Sequence, residues 1–362
     1  MKEIDYSDFI KRRDKAEQRK PLHGQIELTY NCNYNCIHCY SKNQSRKKLD
    51  FSFWKNIINQ VHDSGGMELT FTGGDPLLHE DFLKVYQHAK KKGFLINIFT
   101  NGFNLNKEIL DFLEDYPPLS IEITINSLNK KNYERITRAK GAFEKVMKYI
   151  DEIKNRNLPL VLKCNGLKEN KGEILKIKEF SESLLGKKKF KFDSFVFAGL
   201  NQEEEPKKHR LTANEIRKIV SRDKDMLEEN RKQLEDQQDF LNPAGLYHCT
   251  SWLTNYFINP QGILKFCHLS KKYSTDLKKE LFTAGFDKFL NILKEKYKVD
   301  SICISCKYKE YCYHCPARAY LETGSEEAPV EYYCGLAEAR KKSMDGLRLI
   351  RNTQIATDKD KD

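Results

Sequence analysis

The stretch Cys32-Asn-Tyr-Asn-Cys36-Ile-His-Cys39 sets three thiols within one short loop, directly after the apolar run Ile26-Glu-Leu-Thr-Tyr30. Iron-sulfur clusters are held by thiolates, and so short a loop brings three sulfurs together at small entropic cost. A cube-shaped cluster held at three corners keeps one iron without a protein ligand. Catalytic metal sites keep such an open position and structural ones close it. Three cysteines can also form part of a zinc site or a buried cluster, but zinc sites favour C-x2-4-C pairs completed by a second pair.

A second set of cysteines lies toward the C-terminus. Cys249, Gly262 and Cys267 read C-x12-G-x4-C; Cys303-x2-Cys306-x5-Cys312-x2-Cys315 and Cys334 follow. The C-x2-C pairs are also compatible with a zinc ribbon. Of the eleven cysteines only Cys164 falls outside both sets, where a small apolar filler is the plain reading. Between the sets stands Thr72-Gly-Gly-Asp-Pro76. Its two glycines let the backbone turn sharply and approach a ligand closely, and Pro76 fixes the next turn. Thr100-Asn-Gly102 reads as a further turn.

These residues need a scaffold, and short β-rich runs alternating with helical stretches supply one. After the run at Ile26, strands are predicted at Glu68–Thr72, Phe94–Phe99, Ser120–Ile125, Leu158–Leu162 and Phe190–Phe197. Helices are predicted at Ser52–Asp63, Glu80–Lys92, Asn106–Glu114, Lys130–Arg156 and Lys171–Leu185, each with apolar residues at three- and four-residue spacing. This alternation implies a parallel sheet, and six units are too few to close an eight-fold barrel. A polar helical stretch, Thr212–Phe240, reads as a bridge with a solvated face. Beyond it Asn259-Pro-Gln-Gly262 reads as the turn of a β-hairpin. Residues 1–22 form a polar arm, and the end of the chain from Thr353 is expected to fray.

A length of 362 residues suits one large domain plus a smaller one. The hydrophobic fraction of 39% suffices for a core. A charged fraction of 32%, a mean hydropathy of −0.70 and the lack of any long apolar run indicate a soluble protein without a membrane span. The N-terminus has no apolar signal region, which predicts a cytoplasmic protein whose cysteines are metal ligands rather than disulfides. The formal charge is +11. Cluster binding lowers the excess to ~+6, since each cubane with its thiolates carries roughly −1 to −2. The lysines lie in short scattered runs, so solvated faces outweigh a nucleic-acid patch. An acidic electron donor or acidic peptide can use the same surface.

The first cysteine motif, its distance from Gly73-Gly-Asp-Pro76 and the second cysteine set together resemble the radical S-adenosylmethionine (radical SAM) enzymes that carry a SPASM extension, over residues 24 to 340. The resemblance implies a partial (β/α)6, TIM-like barrel over 23–200, a helical bridge over 201–245, a cysteine-rich SPASM iron-sulfur domain over 246–340, and a helix end and tail over 341–362. It implies that Cys32, Cys36 and Cys39 hold a [4Fe-4S] cluster whose open iron binds S-adenosylmethionine. Gly73, Gly74, Asp75 and Pro76 would receive the methionine amino group, with His38 near the adenine and Thr124 near the ribose. Lys163 and Asn165 would also approach the cofactor.

One or two auxiliary [4Fe-4S] clusters are implied as well. The outer would lie on Cys303, Cys306, Cys312 and Cys334, and the inner on Cys249, Cys267 and Cys315. The turn Cys312-Tyr-His-Cys315 is one residue shorter than the family's, and no cysteine shortly before Cys249 offers a fourth inner ligand. Cys164 would be a hydrogen donor, as in some peptide epimerases.

The implied activity is reductive cleavage of S-adenosylmethionine to a 5′-deoxyadenosyl radical. That radical would abstract hydrogen from a ribosomally made precursor peptide, for a thioether or carbon-carbon cross-link or an epimerisation. The implied electron donor is a flavodoxin or ferredoxin. Only 31 residues precede Cys32, so leader binding is expected to fall to the basic surface or to a separate leader-binding protein. The other readings are a maturase of a whole protein, a tailoring enzyme for a small molecule such as a haem precursor, and a non-catalytic iron-sulfur carrier. A nucleic-acid methylthiotransferase would need an RNA-binding module, and none is visible.

Overall fold

The computed structural model describes residues 19–42, 44, 48–238, 245–249, 251–298, 300–312 and 314–359. Most of the arm over 1–22 therefore lies outside the described residues, as do 239–244 of the bridge. Six parallel strands run in sequence order across one sheet: β1 (His23–Thr29), β2 (Glu68–Gly73), β3 (Leu95–Thr100), β4 (Ser120–Thr124), β5 (Leu160–Asn165) and β6 (Phe190–Asp193). Helices connect them: α1 (Phe51–Asp63), α2 (Phe82–Lys91), α3 (Lys107–Asp115), α4 (Lys130–Thr137), α5 (Ala142–Asn155) and α6 (Ile174–Leu185). The architecture is the partial (β/α)6 barrel.

Local chemistry starts these helices where the sequence offers a capping side chain. Asp50 accepts the amide of Phe53, Asn106 that of Ile109 and Asn129 that of Asn132, satisfying amides that a helix N-terminus leaves orphaned. α1 then buries Trp54, Ile57, Ile58 and Val61 completely, each worth about 1.5–3 kcal/mol of apolar burial. On the strands, Ile98, Ile123, Leu162 and Cys164 join this core, while Phe99, Thr124, Lys163 and Asn165 face a cavity on the other side of the sheet. The period-2 alternation of strand side chains sorts the two sets.

Two features depart from expectation. The predicted helix Lys130–Arg156 is broken in two, because Arg138 takes φ 53° and Gly141 φ 73° between α4 and α5. The bridge is likewise two helices, α7 (Ala213–Val220) and α8 (Lys224–Gln238), with a capping box between Thr212 and Glu215 starting the first.

The cysteine-rich region is not set apart from the barrel. After the one-turn α9 (Ser251–Thr254), β7 (Asn255–Ile258) pairs parallel with β1. β8 (Ile263–Lys265) and β9 (Thr275–Asp276) then extend the same sheet antiparallel to nine strands, around the predicted hairpin turn. Helices α10 (Phe282–Asp287), α11 (Pro316–Thr323) and α12 (Glu331–Lys359) follow, and α12 continues through the segment expected to fray. Among the described residues no helix is long and apolar enough to cross a membrane.

Candidate active site

The loop after β1 carries Cys32, Cys36 and Cys39 to the carboxyl ends of the strands, and α4 holds it there. Because α4 stops at Thr137, its last carbonyls have no helical partner; that of Thr137 accepts the Asn35 amide (3.0 Å) and that of Ile136 the Ile37 amide (3.0 Å). On the other side the loop rests on the glycine turn. A Cβ on Gly73 would lie 2.2 Å from the Thr29 carbonyl oxygen, and one on Gly74 2.3 Å from that of Asn31. Gly73 also takes φ 147°. Only glycine permits so close an approach.

These parts open into one cavity of about 810 Å³. Cys32, Cys36, His38, Cys39, Gly73, Gly74, Thr124, Lys163 and Asn165 all line it, so residues from three strands and two loops converge there. The thiols suit a cluster. Desolvation pushes the Cys32 thiol up to about 11, with the charges of Asp75 and Cys39 adding to it, while the Tyr34 amide (3.4 Å) and Asn101 (Nδ2, 3.6 Å) donate to its sulfur and oppose the rise. Burial, then the charges of Cys39 and Cys32, raise Cys36 further. Binding to iron would relieve this mutual repulsion. Burial pushes the His38 ring down to about 4, and its Nδ1 has no hydrogen-bond partner among the described residues, which leaves a polar atom free for a bound cofactor.

Three expected site residues do not face the cavity. Asp75 and Pro76 are buried beneath it. The Asp75 carboxylate accepts the Leu77 amide (3.0 Å), the Thr100 hydroxyl (2.7 Å) and the Asn101 amide (2.8 Å). It therefore shapes the loop that presents Asn101 to Cys32 and leaves the lining to the two glycines. Cys164, predicted as a hydrogen donor, points into the core because strand alternation turns it away from its neighbours Lys163 and Asn165. Its sulfur accepts from Asn170 (Nδ2, 3.6 Å), and burial raises its pKa.

Several lining residues were missed. Asn101 lay inside a motif read only as a turn; Asn126, Arg138, Phe195 and Phe197 carry no spacing signal. Glu122, also missed, is buried beside the cavity, where it pairs with Lys163 (2.7 Å) and Lys191 (2.6 Å). The Lys163 ammonium also lies 3.0 Å from the centroid of the Phe99 ring.

A second cavity of about 670 Å³ lies against β1, β2 and β7, with Arg318 of α11 in its wall. Cys249, Cys267, Cys312 and Cys315 line it together with His248, His268 and His314. Burial, then the charge of Cys315, raises both Cys249 and Cys267. Cys303 is raised by burial, then by Cys334 and Cys306. Burial pushes Cys312 up to about 11, with Cys334 and Cys303 adding to it. Cys249, Cys267 and Cys315 thus act on one another, as do Cys303, Cys306, Cys312 and Cys334, while Cys312 also lines the cavity of the first three. Among the described residues no three His, Cys, Asp or Glu side chains converge on the position of one metal ion.

Residues 26–181 match the model of the radical SAM superfamily. The chain is 23% identical over 337 residues to the AdoMet-dependent heme synthase of Methanosarcina barkeri, spanning 85% of this chain and 94% of that one. It is 26% identical over 157 residues to the antilisterial bacteriocin subtilosin biosynthesis protein AlbA of Bacillus subtilis, a match over 42% of this chain and 35% of AlbA. Among solved structures, Streptococcus suis SuiB bound to precursor peptide SuiA superposes with a TM-score of 0.68 at 14% identity, covering 89% of this chain and 77% of that one. Domain match, barrel and converging thiols agree on one stretch: residues 26–181 form a radical SAM domain.

Proposed function

We propose that the chain is a radical SAM/SPASM oxidoreductase that modifies a ribosomally made peptide. The observation that carries the reading is the convergence of Cys32, Cys36 and Cys39 with Gly73, Gly74, Thr124, Lys163 and Asn165 on a single cavity. Cys32, Cys36 and Cys39 would hold a [4Fe-4S] cluster, and the glycine turn, His38, Thr124 and Asn165 would hold S-adenosylmethionine. When bound, this pair supplies a 5′-deoxyadenosyl radical for hydrogen abstraction. The chain's own residues do the rest. Tyr34 and Asn101 stabilise the Cys32 thiolate by donating to it, and the α4 carbonyls hold the loop. The Glu122–Lys163 pair fixes a cation against Phe99 in the cavity wall.

Cys303, Cys306, Cys312 and Cys334 would bind one auxiliary cluster, and Cys249, Cys267 and Cys315 the other. A cluster gives each thiolate its own iron. AlbA is a biosynthesis protein of a bacteriocin, and SuiB was solved with a precursor peptide; both support a peptide substrate. A second reading, a tailoring enzyme acting on a haem precursor, draws support from the heme synthase, because that alignment alone among these runs through nearly the whole of both chains.

The test uses anaerobically reconstituted protein with S-adenosylmethionine and dithionite. Wild type should form 5′-deoxyadenosine and bind about twelve irons per chain, three cubanes of four. A Cys32→Ala/Cys36→Ala/Cys39→Ala variant should lose the product and about four irons. Product formation unchanged in that variant overturns the proposal. The mass change of peptides encoded beside the gene, against that of an added iron-porphyrin, separates the two substrates.

A further inference from the structure

Arg318 stands on α11 at the boundary of the two cavities. It lines the second one, and its guanidinium lies 4.4 Å from the ring centroid of Phe195 and 4.7 Å from that of Phe197, two rings that line the first. Stacking on aromatic faces suits a planar guanidinium and holds its fork in a fixed plane. Three other half-buried cations have an acid to meet them, whereas Arg217 and Lys265, like Arg318, form no ion pair among the described residues. Lys163 pairs with Glu122, Lys178 with Asp223 and Arg210 with Glu322. Arg318 forms no ion pair among the described residues, and its buried Nε has no hydrogen-bond partner. Asp193 is near enough to feel its charge, yet the Asp193 carboxylate accepts the Phe195 amide (2.8 Å) and makes no ion pair with Arg318. Leaving a guanidinium half out of water without a counter-charge is costly, and a ligand that brings the charge removes the cost.

We propose that Arg318 is a substrate-recognition residue that binds a carboxylate of the substrate at the boundary between the two cavities. The inference rests on the radical SAM reading of the first cavity. A carboxylate matches the guanidinium fork through two parallel N–H···O bonds, which gives orientation as well as affinity. The orientation matters because Phe195 walls both cavities, so a group anchored at Arg318 presents the rest of the substrate toward the first. Two substrate classes carry this group: an acidic side chain or C-terminus of a peptide, and the propionates of a tetrapyrrole.

The experiment measures dissociation constants by fluorescence on anaerobically reconstituted full-length protein, for two matched probe pairs. One is coproporphyrin III against its tetramethyl ester; the other is a pool of labelled octapeptides containing glutamate against the same pool with glutamine. In wild type, the acid form of one pair should bind about 10- to 100-fold more tightly than its neutral form, the range for a charged hydrogen-bonding pair. The discriminating pair identifies the source of the carboxylate. Arg318→Gln should abolish the preference, and Arg318→Lys should keep part of it, since an ammonium retains charge without the planar fork. Equal affinities for both pairs in wild type overturn the proposal, and that comparison needs no variant. So does Arg318→Gln retaining the preference; if that variant also loses iron, Arg318 is instead the counter-charge of an auxiliary cluster. Failure of the radical SAM reading shows separately, as absent 5′-deoxyadenosine from wild type.

Discussion

At the scale of single residues, the site depends on where side chains are absent as much as on where they are present. A methyl group at position 74 would meet the carbonyl oxygens of Asn31 (2.3 Å) and Tyr30 (2.6 Å), both backbone atoms that cannot swing away. Gly74→Ala should therefore cost about 1–3 kcal/mol, the usual range for overpacking, and should lower iron at the first site more than at the second; urea denaturation and site-selective iron counts check both. Asp75 acts from below. Asp75→Asn puts an amide N–H where the Thr100 hydroxyl and Asn101 amide now donate, leaving buried donors unpaired at about 1–3 kcal/mol. Burial lifts the Asp75 carboxyl to about 6, with its hydrogen bonds opposing the rise. A folded-state pKa above the unfolded value near 4 means that the folded chain binds this proton more tightly. Asp75 then contributes stability below about pH 4 that is lost as pH rises through 6. A stability profile of cluster-free protein should show this fall between pH 4 and 6 in wild type, and Asp75→Asn should flatten it.

At the scale of elements, the break between α4 and α5 frees the carbonyls of Ile136 and Thr137 for the cysteine loop. Two positions set the break, and their substitutions should act with opposite sign. A Cβ on Gly141 would meet nothing within 4 Å, so Gly141→Ala isolates the cost of φ 73°, about 1 kcal/mol of destabilisation. Arg138→Gly relieves φ 53° and should stabilise by up to about 1 kcal/mol, less the small contribution of its exposed pair with Glu205. Denaturation midpoints moving in the same direction would sink this account. The six strands were legible because apolar alternation and capping side chains are local signals. The break was not, since Ile136, Val146 and Ile150 keep helical spacing across it and only tertiary contact with the loop favours stopping. The same divide runs through the site. Cysteine and glycine spacing exposed the cluster loop and its partner turn, whereas the burial of Asp75 under Thr100 and Asn101 and of Cys164 against Asn170 follows from tertiary contacts that spacing does not encode.

At the scale of the whole molecule, the sheet joins what the sequence divides. β7 pairs with β1 in register from His23–Asn255 to Ile26–Ile258, and the buried Tyr256 ring lies directly over Gly24, where a Cβ would come 2.2 Å from its Cζ. Tyr256 packs in turn on Phe282, which stacks with Phe286. Across the molecule Arg210 of the bridge forms a two-pronged buried pair with Glu322 of α11, and the Tyr333 hydroxyl of α12 donates to the same carboxylate (2.6 Å). With one sheet and a shared core on both flanks, the barrel and the cysteine-rich region should unfold together. Gly24→Ala tests this at a point remote from the cysteines. It should displace Tyr256, loosen β7 from the β1 edge, and cost about 1–3 kcal/mol as a small-to-large change in a packed site. Protease susceptibility should then rise in both regions, and reconstituted iron should fall at both cysteine sets in parallel. Two separate domains would instead lose only the C-terminal iron, with the barrel's protease resistance unchanged.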